Sequence, residues 1–224
     1  MPVEDPWSRW AGVPLAERSR QRRQLILDAA FSIVAEGGLD EVTIRAVSRH
    51  SGVHRRYFAE SFDSREALLI AMFDAAVADM THAGIEKLRH DPAGNTEQNL
   101  RTVIRSSLSF LIKNPAHGQV IFAALEEPSL RDRWREAIAA FRLLISPPAP
   151  DKAQVPLRDT IVAALIEGAV VEFGKRWSAG ELGDDVETAT DVSAVAVLNL
   201  MALNRSIVGA DERAAALWRT VGPQ

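Results

Sequence analysis

Thr43-Ile44-Arg45-Ala46-Val47-Ser48-Arg49-His50-Ser51-Gly52-Val53-His54-Arg55-Arg56-Tyr57-Phe58-Ala59-Glu60-Ser61-Phe62 reads as two short helices joined by a tight turn. Thr43 is an N-cap, because its hydroxyl can accept from an otherwise unpaired N–H of the first turn. Ile44 and Val47 set an apolar face at helical spacing. Gly52 interrupts it where a turn needs a permissive backbone. Val53 and the Tyr57-Phe58 pair restart it. Helices this short do not stand alone in water, so neighbours must pin them, as in a helix-turn-helix unit. The polar side of the second helix carries His54, Arg55 and Arg56. A short helix anchored by aromatics and led by guanidinium groups suits a DNA major groove.

The flanking residues supply the pins. A first helix is expected over about 20–36, with Ile26, Ala29, Ala30, Ile33 and Val34 as its buried stripe and Gly37-Gly38 as its stop. Arg20, Arg22 and Arg23 fall at its start, where cations oppose the helix dipole, so nearby phosphates are the reason offered for them. Downstream, Asp63-Ser64 caps a fourth helix over about 65–88, with Glu66 placed to close a capping box from Asp63. Residues 1–18 form an arm with Trp7 and Trp10, 19–66 a DNA-binding domain, and 67–224 a second domain.

That second domain reads as helices throughout. Helical periods run over about 96–113, from Pro115, from Leu130, over about 157–178 and over about 187–207, with a short tail helix near 211–219. Residues 146–156 hold four prolines and read as a stiff linker. The expected fold is therefore all-α, with about nine or ten helices. The last two long helices are apolar on nearly every side and must be covered on every side. A second copy would cover them through Leu165, Gly168, Ala169, Val195, Leu198 and Met201, which gives a homodimer. The alternative is an internal helix pair in a larger monomeric bundle. Candidates for a small-molecule site are His82, Phe110, His117, Trp134, Phe141, Ile166, Val170, Phe173 and Trp177, with core or surface as the competing role of each.

Composition narrows the chemistry. The chain has 224 residues and no cysteine, which excludes disulfides, thiolate metal sites and cysteine nucleophiles. Net charge is −4, yet residues 18–65 hold nine arginines and six acidic residues, a local +3. Only the charge facing the phosphates matters for binding. His50 and His54 have Gly52 between them and do not share a helix face, so no metal is expected. No phosphate-binding glycine loop, nucleophile elbow or paired-carboxylate motif is present, so no catalytic residue and no cofactor are expected. Residues 1–12 carry Glu4 and Asp5 and no apolar run, and no stretch reaches about 18 clean apolar residues. A cytoplasmic protein without a membrane span is the reading.

Taken together, the arginine-led first helix, Thr43-x-Arg45, Ser51-Gly52-Val53, Phe62 and Asp63-Ser64-Arg65-Glu66-Ala67-Leu68-Leu69 resemble the DNA-binding domain of tetracycline-repressor (TetR) type regulators. The resemblance covers residues 20–73; the helical remainder is similar in layout to the family's effector-binding and dimerisation domain. It implies a transcriptional regulator, typically a repressor, whose dimer binds a near-palindromic double-stranded operator and answers to a small-molecule effector. Carried over by position, Thr43 and Arg65 would hold phosphates, Arg45 a base edge or phosphate, His54, Arg55 and Arg56 the groove, and Tyr57 a phosphate or thymine methyl, with Arg49 a further candidate. Where the family has an aromatic- and histidine-containing run before Phe62, this chain has Ala59-Glu60-Ser61. Glu60 repels phosphate unless it accepts from a cytosine amino group or pairs with an arginine. That departure keeps open a second reading, an all-helical ligand-binding or interaction protein without DNA recognition.

Overall fold

The computed structural model describes residues 15–90, 95–145 and 157–206. Trp7 and Trp10 of the arm, residues 91–94, the proline-rich stretch and the expected tail helix lie outside them. Among the described residues no strand forms. The helices are α1 (Leu15–Gly37), α2 (Ile44–Ser51), α3 (Arg55–Ser61), α4 (Arg65–His90), α5 (Thr96–Lys113), α6 (Pro115–Ala123), α7 (Arg131–Ile145), α8 (Leu157–Ser178) and α9 (Val186–Ser206). Short 3-10 turns occupy Leu39–Glu41 and Pro128–Leu130.

Two starts differ from expectation. The first helix begins at Leu15, with the acidic Glu17 in its first turn, which suits the dipole. Glu17 takes Arg20 at 2.5 Å and Gln21 at 3.1 Å. Arg22 and Arg23 therefore sit well inside the helix, and the dipole argument that called for phosphates beside them falls. At α4 the cap is Ser64 of the expected Asp63-Ser64 pair, whose Oγ accepts from Ala67 N at 3.1 Å, one residue later than the capping box expected from Asp63. Glu66 then lies in the first turn, and its carboxyl is held below the ordinary range by its own backbone N–H and by the Ser64 hydroxyl.

The chain divides into two compact units. The first comprises the described residues up to Val77 together with Asn114–Arg133. Its core is Ile26, Ala30 and Val34 of α1, Val42, Val47, Val53, Phe58, Phe62, and Leu68, Leu69, Met72, Phe73 and Ala76 of α4. Burying each large apolar side chain contributes about 1.5–3 kcal/mol before chain entropy is set against it. α6 packs on α1, where Phe31 and His117 stack with ring centroids 4.1 Å apart. α6 and the first three turns of α4 thus join residues of the 19–66 stretch in this core. Asp74 and Asp79 interrupt the apolar run of α4, which therefore stays short of about 18 clean apolar residues. An 18-residue window within Arg65–Arg89 is, by length and composition alone, apolar enough to cross a membrane. Leu68, Leu69, Met72, Phe73 and Ala76 spend that apolar character on the core.

The second unit holds the described residues within Ala78–Lys113 and from Trp134 onward. α5 packs against α8 and α9. Val162, Ile166 and Val197 form a buried cluster with Leu100, Leu200 and Met201 against it. Trp177 is buried and donates from Nε1 to the Leu108 carbonyl at 3.2 Å, which satisfies the indole N–H. Arg105 pairs with Glu187 at 2.6 Å, and Arg101 with Asp191, tying α5 to α9.

Candidate nucleic-acid interface

Thr43 caps α2 as its residue type predicts, its Oγ1 accepting from Ala46 N at 3.1 Å. The hydroxyl proton is left for an outside acceptor. Gly52 closes α2 in the left-handed region at φ 67°, which an L side chain rarely adopts. His54 is the cap of α3 and not its first helical residue, and its Nδ1 accepts from Arg56 N at 3.3 Å. That geometry leaves His54 Nε2 and the guanidinium groups of Arg55 and Arg56 at the exposed start of α3.

The arginines divide into two kinds. Arg45 and Arg49 on α2 and Arg55 on α3 are exposed and have no hydrogen-bond or ion-pair partner among the described residues. Arg45 and Arg49 stand one turn apart, so like charges meet without compensation, which is mildly unfavourable in the protein alone. An anion laid against this face removes that cost.

Arg22, Arg23 and Arg65 are employed inside the unit. Arg23 donates from Nη1 to the Ser61 carbonyl at 2.8 Å, and its guanidinium stands 4.1 Å from the Phe62 ring centroid. Arg22 has only 15% of its side chain exposed, lies 4.9 Å from the Tyr57 ring centroid and reaches Glu60 at 3.6 Å. Arg65 donates from Nε to Val42 O at 2.7 Å and from Nη2 to Leu39 O at 3.2 Å, and Nη1 lies 3.8 Å from Glu127. In the protein alone, carbonyls, aromatic faces and carboxylates of the fold engage all three, a structural role beside the phosphate contacts expected of them. Tyr57 is half-buried, with the Arg22 guanidinium over its ring.

Glu60, which the sequence reading left to be paired or repelled, is paired. It reaches Arg22 and, one turn back on α3, Arg56 at 3.7 Å. The spacing of Arg56 and Glu60 was the signal that could have found this contact. The signal for Arg49 was its spacing from Arg45.

Among the small-molecule candidates, the rings of Phe173 and Trp177 lie with centroids 5.9 Å apart. His117 belongs to the first unit and the others to the second. His82 is exposed and lies 3.6 Å from Glu86. Ile166 and Trp177 are core residues, while Val170 is exposed and Phe110, Trp134 and Phe173 are half-buried. The Phe141 side chain lies outside the described residues. Among the dimer candidates Leu165, Gly168, Ala169 and Val195 are exposed and Leu198 is half-buried. Met201 instead packs on the buried cluster of its own unit. Among the described residues no group of three or more His, Asp or Glu side chains could share a metal ion.

Residues 26–72 match the sequence profile described as bacterial regulatory proteins, tetR family. The HTH-type transcriptional regulator BetI of Escherichia coli is 30% identical over 90 residues, 40% of this chain. That match spans about half of the relative, 46% of its length. A TetR-like transcriptional regulator from Rhodococcus sp. RHA1 superposes with a TM-score of 0.62 at 18% identity, covering 85% of this chain and 98% of that one. The transcriptional regulator FadR from Bacillus subtilis, in complex with stearoyl-CoA, superposes with a TM-score of 0.59 at 17% identity, over 78% of this chain and 96% of that one.

Proposed function

Since the chain belongs, through residues 26–72, to the tetR family of bacterial regulatory proteins, we propose that it is a cytoplasmic transcriptional regulator, with no catalytic role, that binds a double-stranded, near-palindromic operator as a homodimer. The observation that carries this reading is the division of the arginines. Arg45, Arg49 and Arg55 are exposed and uncommitted on α2 and α3, while Arg22, Arg23 and Arg65 hold those helices in place. With Thr43 and His54 they form the reading surface. An arginine bidentate to guanine discriminates by about 1–3 kcal/mol.

The dimer rests on apolar side chains left bare on α8 and α9. Ile161 is 51%, Leu165 53%, Val192 65% and Val195 48% exposed, and Gly168, Ala169 and Ala196 lie between them. A patch of this kind on two long helices marks an association surface. Two copies place two reading heads on successive turns of one DNA face.

Repression relieved by a small molecule is the regulation we assign. The similar FadR holds stearoyl-CoA, and an apolar ligand among the helices of the second unit, near Phe110, Trp134 and Phe173, suits the half-buried aromatics there. Such a ligand acts by preferring the conformer whose heads mismatch the operator.

The test is a gel-shift titration with DNA selected from a random pool. Arg45→Ala combined with Arg55→Ala is expected to weaken binding roughly 30-fold or more, from two contacts of about 1 kcal/mol or above. The dimer measured by sedimentation should stay intact. Unchanged affinity in the double variant sinks the DNA assignment.

A further inference from the structure

The recognition helix of this chain carries a carboxylate beside its arginines. Glu60 Oε1 lies 3.7 Å from Arg56 Nε and Glu60 Oε2 lies 3.6 Å from Arg22 Nη2. Both cations also stand over the Tyr57 ring, Arg22 at 4.9 Å and Arg56 at 6.0 Å from its centroid. One anion and one aromatic face thus serve two guanidinium groups, one on α1 and one on α3. The two partners are unequal. Arg22 is mostly buried, with Nε shut from solvent and unpaired among the described residues, so little water competes with Glu60 for its charge. Arg56 is 78% exposed, with Glu60 as its ion-pair partner and the Tyr57 ring at the edge of reach.

We infer that Glu60 is a specificity-determining residue: it withholds the Arg56 charge from the phosphate backbone, so that affinity for arbitrary DNA is kept low while the uncommitted arginines read the site. The inference rests on the DNA-binding reading above. Non-specific affinity grows with each phosphate neutralised, and the logarithm of the binding constant falls against the logarithm of salt with a slope of about 0.9 per contact. An arginine already matched by a carboxylate adds little to that slope. Anchoring by Arg22 is what keeps Glu60 near Arg56, since a surface pair alone is worth little and would open readily.

The test is a double-mutant cycle on the salt dependence of binding to random-sequence duplex, with full-length protein. Glu60→Gln keeps the shape and a hydrogen-bonding group for Arg22. It is expected to steepen the slope by about 0.9 and to raise non-specific affinity several-fold at low salt. Arg56→Ala is expected to flatten the slope by about 0.9 in the Glu60→Gln background and by much less beside native Glu60. A merely structural Glu60 would lower binding in the Glu60→Gln variant without steepening the slope, and that result overturns the inference. Equal effects of Arg56→Ala in both backgrounds overturn it as well. Should Glu60→Gln fail to fold, Arg56→Ala alone decides: a loss of a full contact's slope beside native Glu60 refutes the withholding. If no variant and not even the native protein shows salt-dependent binding, the DNA reading itself has failed instead.

Discussion

Arg23 of α1 caps the far end of the recognition helix, donating to the carbonyl of Ser61 at 2.8 Å. A helix of seven residues leaves most of its carbonyls without intrahelical donors. A guanidinium supplies one donor there, and its planar face rests on Phe62 at 4.1 Å. Arg23→Ala is expected to destabilise the first unit by about 1 kcal/mol, the size of a solvent-exposed charge-assisted hydrogen bond with a cation–π contact. Thermal melting measures the loss. Binding to DNA should weaken without any change in salt slope, because no phosphate contact goes with it. A flattened slope would return Arg23 to the phosphate-binding set.

Arg65 performs a similar service at the opposite side of the helix-turn-helix. Its Nε and Nη2 reach two carbonyls of one connection, Val42 O and Leu39 O. Only a forked donor spans both, since an ammonium on a flexible stem is a point charge. Arg65→Lys should therefore lose about 1.5 kcal/mol, the scale of one hydrogen bond from a charged donor. A chemical-denaturation midpoint equal to that of the native protein would show the fork to be dispensable.

The helix-turn-helix was legible because its signals are local. Thr43, Gly52 and the Val47–Val53–Phe58 stripe each act within a few residues, and each does in the structure what its type predicts. The roles of the arginines were not legible. Whether a guanidinium meets solvent or a carbonyl is decided by chain that returns from far away, as when Arg23 meets Ser61 and Arg65 meets Leu39. The same holds for α6, whose Pro115 start was readable while its packing on α1 was not. Met201 shows the limit for a helix apolar on all sides, where periodicity does not say which side faces its own bundle.

Asp185 gives a pH dependence with a definite sign. Its carboxylate accepts from Thr188 N at 3.0 Å and from the Thr188 hydroxyl at 2.7 Å, capping α9. The backbone bond, then the hydroxyl, hold its carboxyl below the ordinary aspartate range. A depressed folded-state value means the stabilisation is fully present above the unfolded value of about 3.9 and disappears as pH falls through the folded one. Native protein should therefore lose protection of the Thr188 amide on acidification below about pH 4. In Asp185→Asn, hydrogen exchange at that amide should lack this acid-induced loss. An identical profile in both proteins would assign the cap to another group.

The bare side chains of α8 and α9 make the dimer testable without disturbing the protomer. Leu165 and Val195 are about half exposed, so a charge placed at either meets water in a lone protomer. Across a symmetric seam the same charge meets its own copy in an apolar setting, and the repulsion and desolvation fall on both subunits at once. Leu165→Glu is therefore expected to shift sedimentation toward monomer while far-UV circular dichroism stays unchanged. Binding to a palindromic operator should fall far more than binding to a half-site, because only the former uses both reading heads. Met201→Glu serves as the contrast: its side chain packs on Val162, Ile166 and Val197 within one protomer, so it should lower the melting temperature. A Leu165→Glu protein that stays dimeric at micromolar concentration would move the seam to another face.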